Sequence, residues 1–309
     1  MTGVQTCALP ICGTASSNQS WMPWLSQYVM PCHLNSYLIR SSLPEQTSGD
    51  LSRIFWCPTG PFAFLPIHAA GFYDTQHSQP GNNVSDFVVS SYVPTLSILA
   101  LSPSPDAVTS SDIRLLAVRQ PQSDGLSRLP GVNTELEHIR AAIRNSPSAR
   151  TTLLESPVGT VEEVLALMKE ADCVHFACHG IQDAANPTES GLCLADQRCL
   201  KLSDMIALSR PHGGLAFLSA CQTATGDESL SDEAIHIAAG MLFAGYGGVV
   251  GTMWSVIDLR LLWQGMYTGN CFEIAQGQII RRLHERCMKP LGVFEIATRR
   301  SWSGLRSST

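Results

Sequence analysis

Charge is scarce in this chain. Of its 309 residues, 15% are Asp, Glu, Lys or Arg while 44% are hydrophobic, where about 25% charged is usual for a globular protein. That composition excludes an extended, self-repelling chain and indicates one large core, a domain of about 200 to 250 residues with loosely attached ends. Positive charge is especially sparse: the formal net charge is -6 and no basic run precedes residue 280, so nucleic acid is not an expected partner. No self-similarity at a period of about 20 to 50 residues is visible, which excludes a solenoid. No charged segment followed by an apolar one opens the chain, and its eleven cysteines are odd in number and scattered. A secreted disulfide framework is therefore not expected; reduced thiols in the cytoplasm are. Residues 237–257 lack charge and have the length of a membrane span. Gly240, Gly245, Gly247, Gly248 and Gly251 divide them into an apolar helix, a tight turn and a Val-rich strand, so no membrane span is expected.

What is present falls into four parts. Residues 1–12 resemble the translation of a sequencing-adapter oligonucleotide and are set aside as an artefact. Residues 13–50 hold a helix, with Trp24, Leu25, Tyr28 and Val29 at helical spacing before Pro31, and a polar linker. Regular alternation of strand and helix occupies residues 51–258. Strands are expected at 53–57, 86–93, 113–118, 173–178, 215–220 and 249–254. Between them run amphipathic helices through Val132, Leu136, Ile139 and Ile143, through Val161, Val164, Leu165 and Met168, and through Ile235, Ala238, Ala239, Leu242 and Phe243. Thr134 with Glu137, and Thr160 with Glu163, have the spacing of capping boxes. Strands joined by crossover helices predict an α/β fold, a mostly parallel central sheet flanked by helices on both faces. Residues 259–309 read as an aberrant or truncated tail, basic through Arg281, Arg282, Arg286, Lys289, Arg299, Arg300 and Arg306, with no apolar strand to finish a sheet.

Two of the expected strands end in chemistry. The run from Cys173 closes with His179-Gly180, and the run from Gly214 closes with Cys221. Carboxyl ends of neighbouring parallel strands share one crevice, so an imidazole can stand beside a thiol and activate it as a nucleophile. A cysteine peptidase needs a thiolate, a proton shuttle and backbone donors for the oxyanion. Cys221, His179 and the N–H groups of Gly180 and Cys221 could supply them. The competing readings are a buried free thiol and a hydrogen-bonded core histidine. Zinc is another rival, because Cys173, His175, Cys178, His179, Cys193 and Cys199 are near in sequence. On a strand, however, His175 and His179 would stand about 13 Å apart. The glycines of 245–251 precede a strand where a dinucleotide site would follow one, and Ser219 lacks a nucleophile elbow. No metal and no cofactor is expected.

Three runs stand out: His175-Phe176-Ala177-Cys178-His179-Gly180, Leu218-Ser219-Ala220-Cys221-Gln222-Thr223-Ala224-Thr225-Gly226, and Gly248-Val249-Val250-Gly251-Thr252-Met253-Trp254-Ser255-Val256-Ile257-Asp258. Together they resemble the CHAT domain, in the form typical of fungal members. Upstream, Trp56-Cys57-Pro58-Thr59-Gly60-Pro61, Leu65-Pro66-Ile67-His68-Ala69-Ala70-Gly71 and Leu129-Pro130-Gly131-Val132 with Glu135 belong to the same resemblance. It implies a caspase-like and separase-like three-layer sandwich, with His179 as catalytic base and Cys221 as nucleophile. It also implies that Asp258 stands near the pocket for the residue before the cut bond, favouring a basic side chain, although Asp258 could equally cap a following helix. The implied activity is a cysteine endopeptidase in a regulated cell-death or non-self response pathway, acting on a protein substrate under a repeat-containing or signalling partner. The alternative is a module that keeps the fold for protein interaction without turnover. The tetratricopeptide repeats that often precede such domains, and the final helix and strand after Asp258, are not evident in the sequence.

Overall fold

The structure, a computed structural model, describes residues 52–59, 67–69, 84, 87–100, 112–123, 125–144, 150–155, 159–183, 185–208, 213–220, 237–252 and 293–296. The strands are β1 (Ser52–Trp56), β2 (Val88–Tyr92), β3 (Asp112–Arg119), β4 (Arg150–Glu155), β5 (Cys173–Ala177), β6 (Gly180–Ile181), β7 (Gly191–Cys193), β8 (Cys199–Lys201), β9 (Gly213–Ser219), β10 (Tyr246–Thr252) and β11 (Val293–Ile296). The helices are α1 (Ser97–Ala100), α2 (Gly131–Arg144), α3 (Val161–Glu170), α4 (Leu202–Ala207) and α5 (Ile237–Phe243).

Eight strands form one sheet in the order β1-β2-β11-β10-β9-β5-β3-β4. The block from β10 to β4 is parallel throughout. β11 runs antiparallel to β10 and parallel to β2, so β11, β2 and β1 point the other way. The chain moves from β3 outward to β4, then crosses back to β5 on the other side of β3. That reversal makes the gap between the carboxyl ends of β3 and β5 a topological switch point, the place where an α/β sheet opens a crevice.

Alternation along the strands divides the core in two. Leu116 and Val118 of β3, Val174 and Phe176 of β5, and Ala216 and Leu218 of β9 join Val164 and Met168 of α3 and Ile237, Ala238, Met241 and Leu242 of α5. The intervening residues Leu115 and Ala117 meet Leu136 and Ile139 of α2 on the opposite face. The mostly parallel sheet thus lies between helices, as expected for α/β crossovers of right-handed sense. Complete burial of a side chain such as Phe176 contributes about 1.5–3 kcal/mol.

Helix α3 starts where its capping residues predict: the Glu163 N–H donates to Thr160 Oγ1 at 3.3 Å, and Glu163 Oε2 accepts from the Gly159 N–H at 2.7 Å. Thr134 does not cap α2. The helix begins at Gly131, directly after Pro130, and carries Thr134 inside it. The segment after residue 237 is helix, turn and strand, as its glycines suggest. Gly245, at φ 108°, takes the left-handed conformation that reverses the chain from α5 into β10. No helix among the described residues is long and apolar enough to cross a membrane.

The tail supplies a strand that the sequence does not advertise. β11 inserts between β10 and β2, pairing Thr252 with Val293 and Val249 with Ile296. β4 also goes unannounced, because Arg150-Thr151-Thr152-Leu153-Leu154-Glu155 is an edge strand with only two apolar residues. The helix expected near Trp24 lies outside the described residues.

Candidate active site

His179 stands two residues beyond the end of β5, at the switch point. Its Nε2 lies 2.7 Å from the main-chain oxygen of Ser127, in the loop between β3 and α2. A carbonyl oxygen only accepts, so the Nε2 hydrogen donates to it and the neutral ring carries its lone pair on Nδ1. The Ser127 carbonyl is fixed in turn: the Gln120 N–H donates to the Ala177 carbonyl at 2.8 Å, Leu129 to Pro121 at 2.8 Å, and Leu126 to Ser123 at 3.1 Å. Arg119 Nη1 ties the base of this loop to Asn133 Oδ1 of α2 at 2.9 Å.

A small antiparallel sheet, β6-β7-β8, holds the chain on the other side of the histidine. The Cys193 N–H donates to the His179 carbonyl at 2.8 Å. Since residues 179 and 193 form a hydrogen-bonded position of the ladder, Gly180, opposite Leu192, occupies a non-hydrogen-bonded one. Its N–H therefore points to the open edge of β6. The hairpin of β7 and β8 is pinned to the start of α3 by Ala195 N–H to the Gly159 carbonyl at 3.0 Å, by Val161 N–H to Asp196 Oδ2, and by Arg198 to both Asp196 and Glu162.

β9 is the neighbour of β5 on the side away from β3, and Ala177 pairs with Ser219. Cys221 follows two residues after that pair, and Asp258 follows β10; both lie outside the described residues, as does the separation of Cys221 from His179. Among the described residues no group of three or more His, Cys, Asp or Glu side chains is placed to hold a metal. Of the residues considered as zinc ligands, Cys193 and Cys199 oppose each other across β7 and β8, while His175 is engaged elsewhere.

His175 belongs to a buried polar network beneath the crevice that the sequence does not disclose. Its Nε2 shares a 2.7 Å hydrogen bond with Oε1 of Glu135 on α2, and the Ser219 hydroxyl donates to Glu135 Oε2 at 3.2 Å. The ring stacks on Phe217, with centroids 5.1 Å apart. All three polar residues are at most 5% exposed. Burial pushes the Glu135 carboxyl above its usual range, while His175 and the Ser219 hydroxyl draw it back. The network clamps α2 to the last turns of both strands that lead into the site. The one signal for it was Glu135 in the Leu129-Pro130-Gly131-Val132 motif. Ser127 gave no signal, because it acts through a carbonyl that every residue possesses.

This architecture is a cysteine peptidase-like fold of the caspase kind. The Arg-specific cysteine proteinase gingipain R superposes with a TM-score of 0.50 at 10% identity, over 90% of this chain and 67% of that one. The complex of the Porphyromonas gingivalis RgpB pro- and mature domains gives the same score and identity over 69% of its chain. The Saccharomyces cerevisiae separase–securin complex aligns at 13% identity with a TM-score of 0.42, covering 70% of this chain and 14% of the other. No curated protein matches the chain in sequence. The CHAT domain family model matches residues 22–270, most of the chain, and the protein belongs to that family.

Proposed function

We propose that this chain is a cysteine endopeptidase whose base is His179 and whose nucleophile is Cys221. The observation that carries the reading is the 2.7 Å hydrogen bond from His179 Nε2 to the Ser127 carbonyl, at the carboxyl end of the strand adjacent to the one that leads to Cys221. That bond leaves Nδ1 as the basic nitrogen. Nδ1 takes the Cys221 proton, and the thiolate attacks the scissile carbonyl. The N–H of Gly180, turned to the open edge of β6, and that of Cys221 stabilise the oxyanion. The imidazolium, steadied by the Ser127 carbonyl, then protonates the leaving amine, and water attacks the resulting thioester with Nδ1 again accepting a proton.

Asp258 at the pocket for the preceding residue would favour Lys or Arg, in keeping with the Arg specificity of the structurally similar gingipain. The family resemblance supports a protein substrate, a cytoplasmic setting and a place in a regulated cell-death or non-self response. The test is labelling of Cys221 by a peptide electrophile ending in Lys or Arg. Labelling at Cys221, with substrate cleavage abolished in Cys221→Ala, is the expected result. Binding of protein partners without any labelling of Cys221 would instead assign the fold to interaction alone.

A further inference from the structure

Cys193 and Cys199 sit directly opposite each other on β7 and β8, with their sulfurs 3.3 Å apart. The Leu194 N–H bonds to the Arg198 carbonyl and the Leu202 N–H to the Ser190 carbonyl, which makes the Cys193–Cys199 pair a non-hydrogen-bonded one. At such positions the Cα atoms are about 4.5 Å apart, within the span of about 4.4–6.8 Å that a disulfide bridges. Both thiols are free, and the two differ in access: Cys193 is buried and Cys199 half-buried.

We propose that Cys193 and Cys199 form a dithiol modification site that peroxide oxidises to a cross-strand disulfide. Their mutual S–H···S hydrogen bond and nearby Lys201 bring the Cys199 thiol down to about 7, against the opposing effects of burial and Asp196. The same contact, together with burial, pushes Cys193 up, so Cys193 keeps its proton and Cys199 is the attacking sulfur. The Cys199 thiolate attacks one oxygen of hydrogen peroxide, the O–O bond breaks, and hydroxide leaves to become water, giving a sulfenic acid. The Cys193 sulfur then attacks the Cys199 sulfur, the S–O bond breaks, and a second water leaves with the Cys193 proton. Overall two thiols and one peroxide give one disulfide and two waters.

The site reaches the crevice through one bond. Cys193 is the residue whose N–H holds the His179 carbonyl, so drawing β8 against β7 shifts the anchor of the proposed base. This coupling rests on the peptidase reading; the disulfide does not. In the test, protein is exposed to a few equivalents of hydrogen peroxide, blocked with N-ethylmaleimide and digested with trypsin. The peptide of residues 170–198 should be found linked through Cys193 to Cys199-Leu200-Lys201, with Cys173 and Cys178 carrying the maleimide, two hydrogens lighter than the sum of the two peptides so alkylated and released by dithiothreitol. Recovery of both cysteines as maleimide adducts, or of Cys199 only as a sulfinic acid, overturns the proposal.

Coupling is read from the rate of Cys221 labelling after the same peroxide dose in wild type and in Cys199→Ser, with Cys199→Ala as a second variant. The variants report direct oxidation of Cys221, and the additional loss in wild type reports the disulfide. That loss should be about tenfold or more, since a misplacement of about 1 Å costs on the order of 100-fold. Equal losses would remove the coupling while leaving the dithiol standing. Absence of Cys221 labelling in every untreated protein would remove the peptidase reading and the coupling with it, and the peptide map would still decide the disulfide.

Discussion

His175 and His179 are four residues apart in one segment, yet the fold gives them opposite surroundings. His175 lies between α2 and the sheet, committed to Glu135 and stacked on Phe217, with 3% of its surface exposed. His179 lies past the strand end, half-buried, with one nitrogen on a main-chain oxygen. A carboxylate sealed around an imidazole fixes a helix to a sheet. A carbonyl that occupies only Nε2 leaves the other nitrogen for chemistry. Residue type alone does not separate the two settings; distance from the strand end and the nature of the partner do.

Alanine at each position should break this comparison most sharply. His179→Ala is expected to lower substrate cleavage by about 100- to 10,000-fold with little change in unfolding midpoint. His175→Ala should leave Glu135 buried with only the Ser219 hydroxyl and cost about 3–5 kcal/mol of stability, while the remaining folded protein, assayed in the cold, keeps cleavage within severalfold. Kinetic assays paired with urea titrations distinguish the two, and reversal of the two phenotypes would mean that the roles have been assigned the wrong way round.

Asp258→Asn comes next in size. Losing a shielded charge-assisted hydrogen bond worth about 1.5–3 kcal/mol should reduce cleavage after Lys or Arg by about 10- to 150-fold. Reactivity of Cys221 toward a small uncharged alkylating agent should hardly change. Equal losses in both assays would make Asp258 a structural cap.

Ser219→Ala removes the hydroxyl that donates to Glu135 Oε2 and should cost about 1–3 kcal/mol, read as a lower urea midpoint. An unchanged midpoint would show that the network is held by the His175 contact alone. The subtlest effect concerns pH. Because burial raises Glu135, the folded state binds that proton more tightly than the unfolded chain does. Its contribution to stability is full below the ordinary glutamate value of about 4.3 and declines as pH rises through the folded value. Glu135→Gln, which does not titrate, should therefore lose less stability than wild type as pH rises above the ordinary glutamate value. Parallel profiles would contradict the assignment.

Much of the sheet is legible because strands buried on both faces are continuous apolar runs bounded by polar turns, as in residues 173–178 and 215–220. Edge strand β4 and the two- and three-residue strands β6, β7 and β8 escape notice, since short or half-exposed pieces carry little periodicity. Their pairing is a tertiary event. The same holds for the site. The position of His179 just past an apolar run can be read directly, whereas the Glu135 contacts span 40 and 84 residues of sequence and exist only once α2 docks. The Thr134 box failed because the helix starts directly after Pro130, about one turn earlier than that box implies and in step with the stripe from Val132.

The central claim is that His179, and not His175, activates the Cys221 thiol. Its most direct test is the rate at which a small uncharged haloacetamide alkylates Cys221 near neutral pH, followed by peptide mapping in wild type, His179→Ala and His175→Ala. The account predicts a fall of about 100-fold or more in His179→Ala and a rate within severalfold of wild type in folded His175→Ala. An unchanged rate in His179→Ala would contradict it.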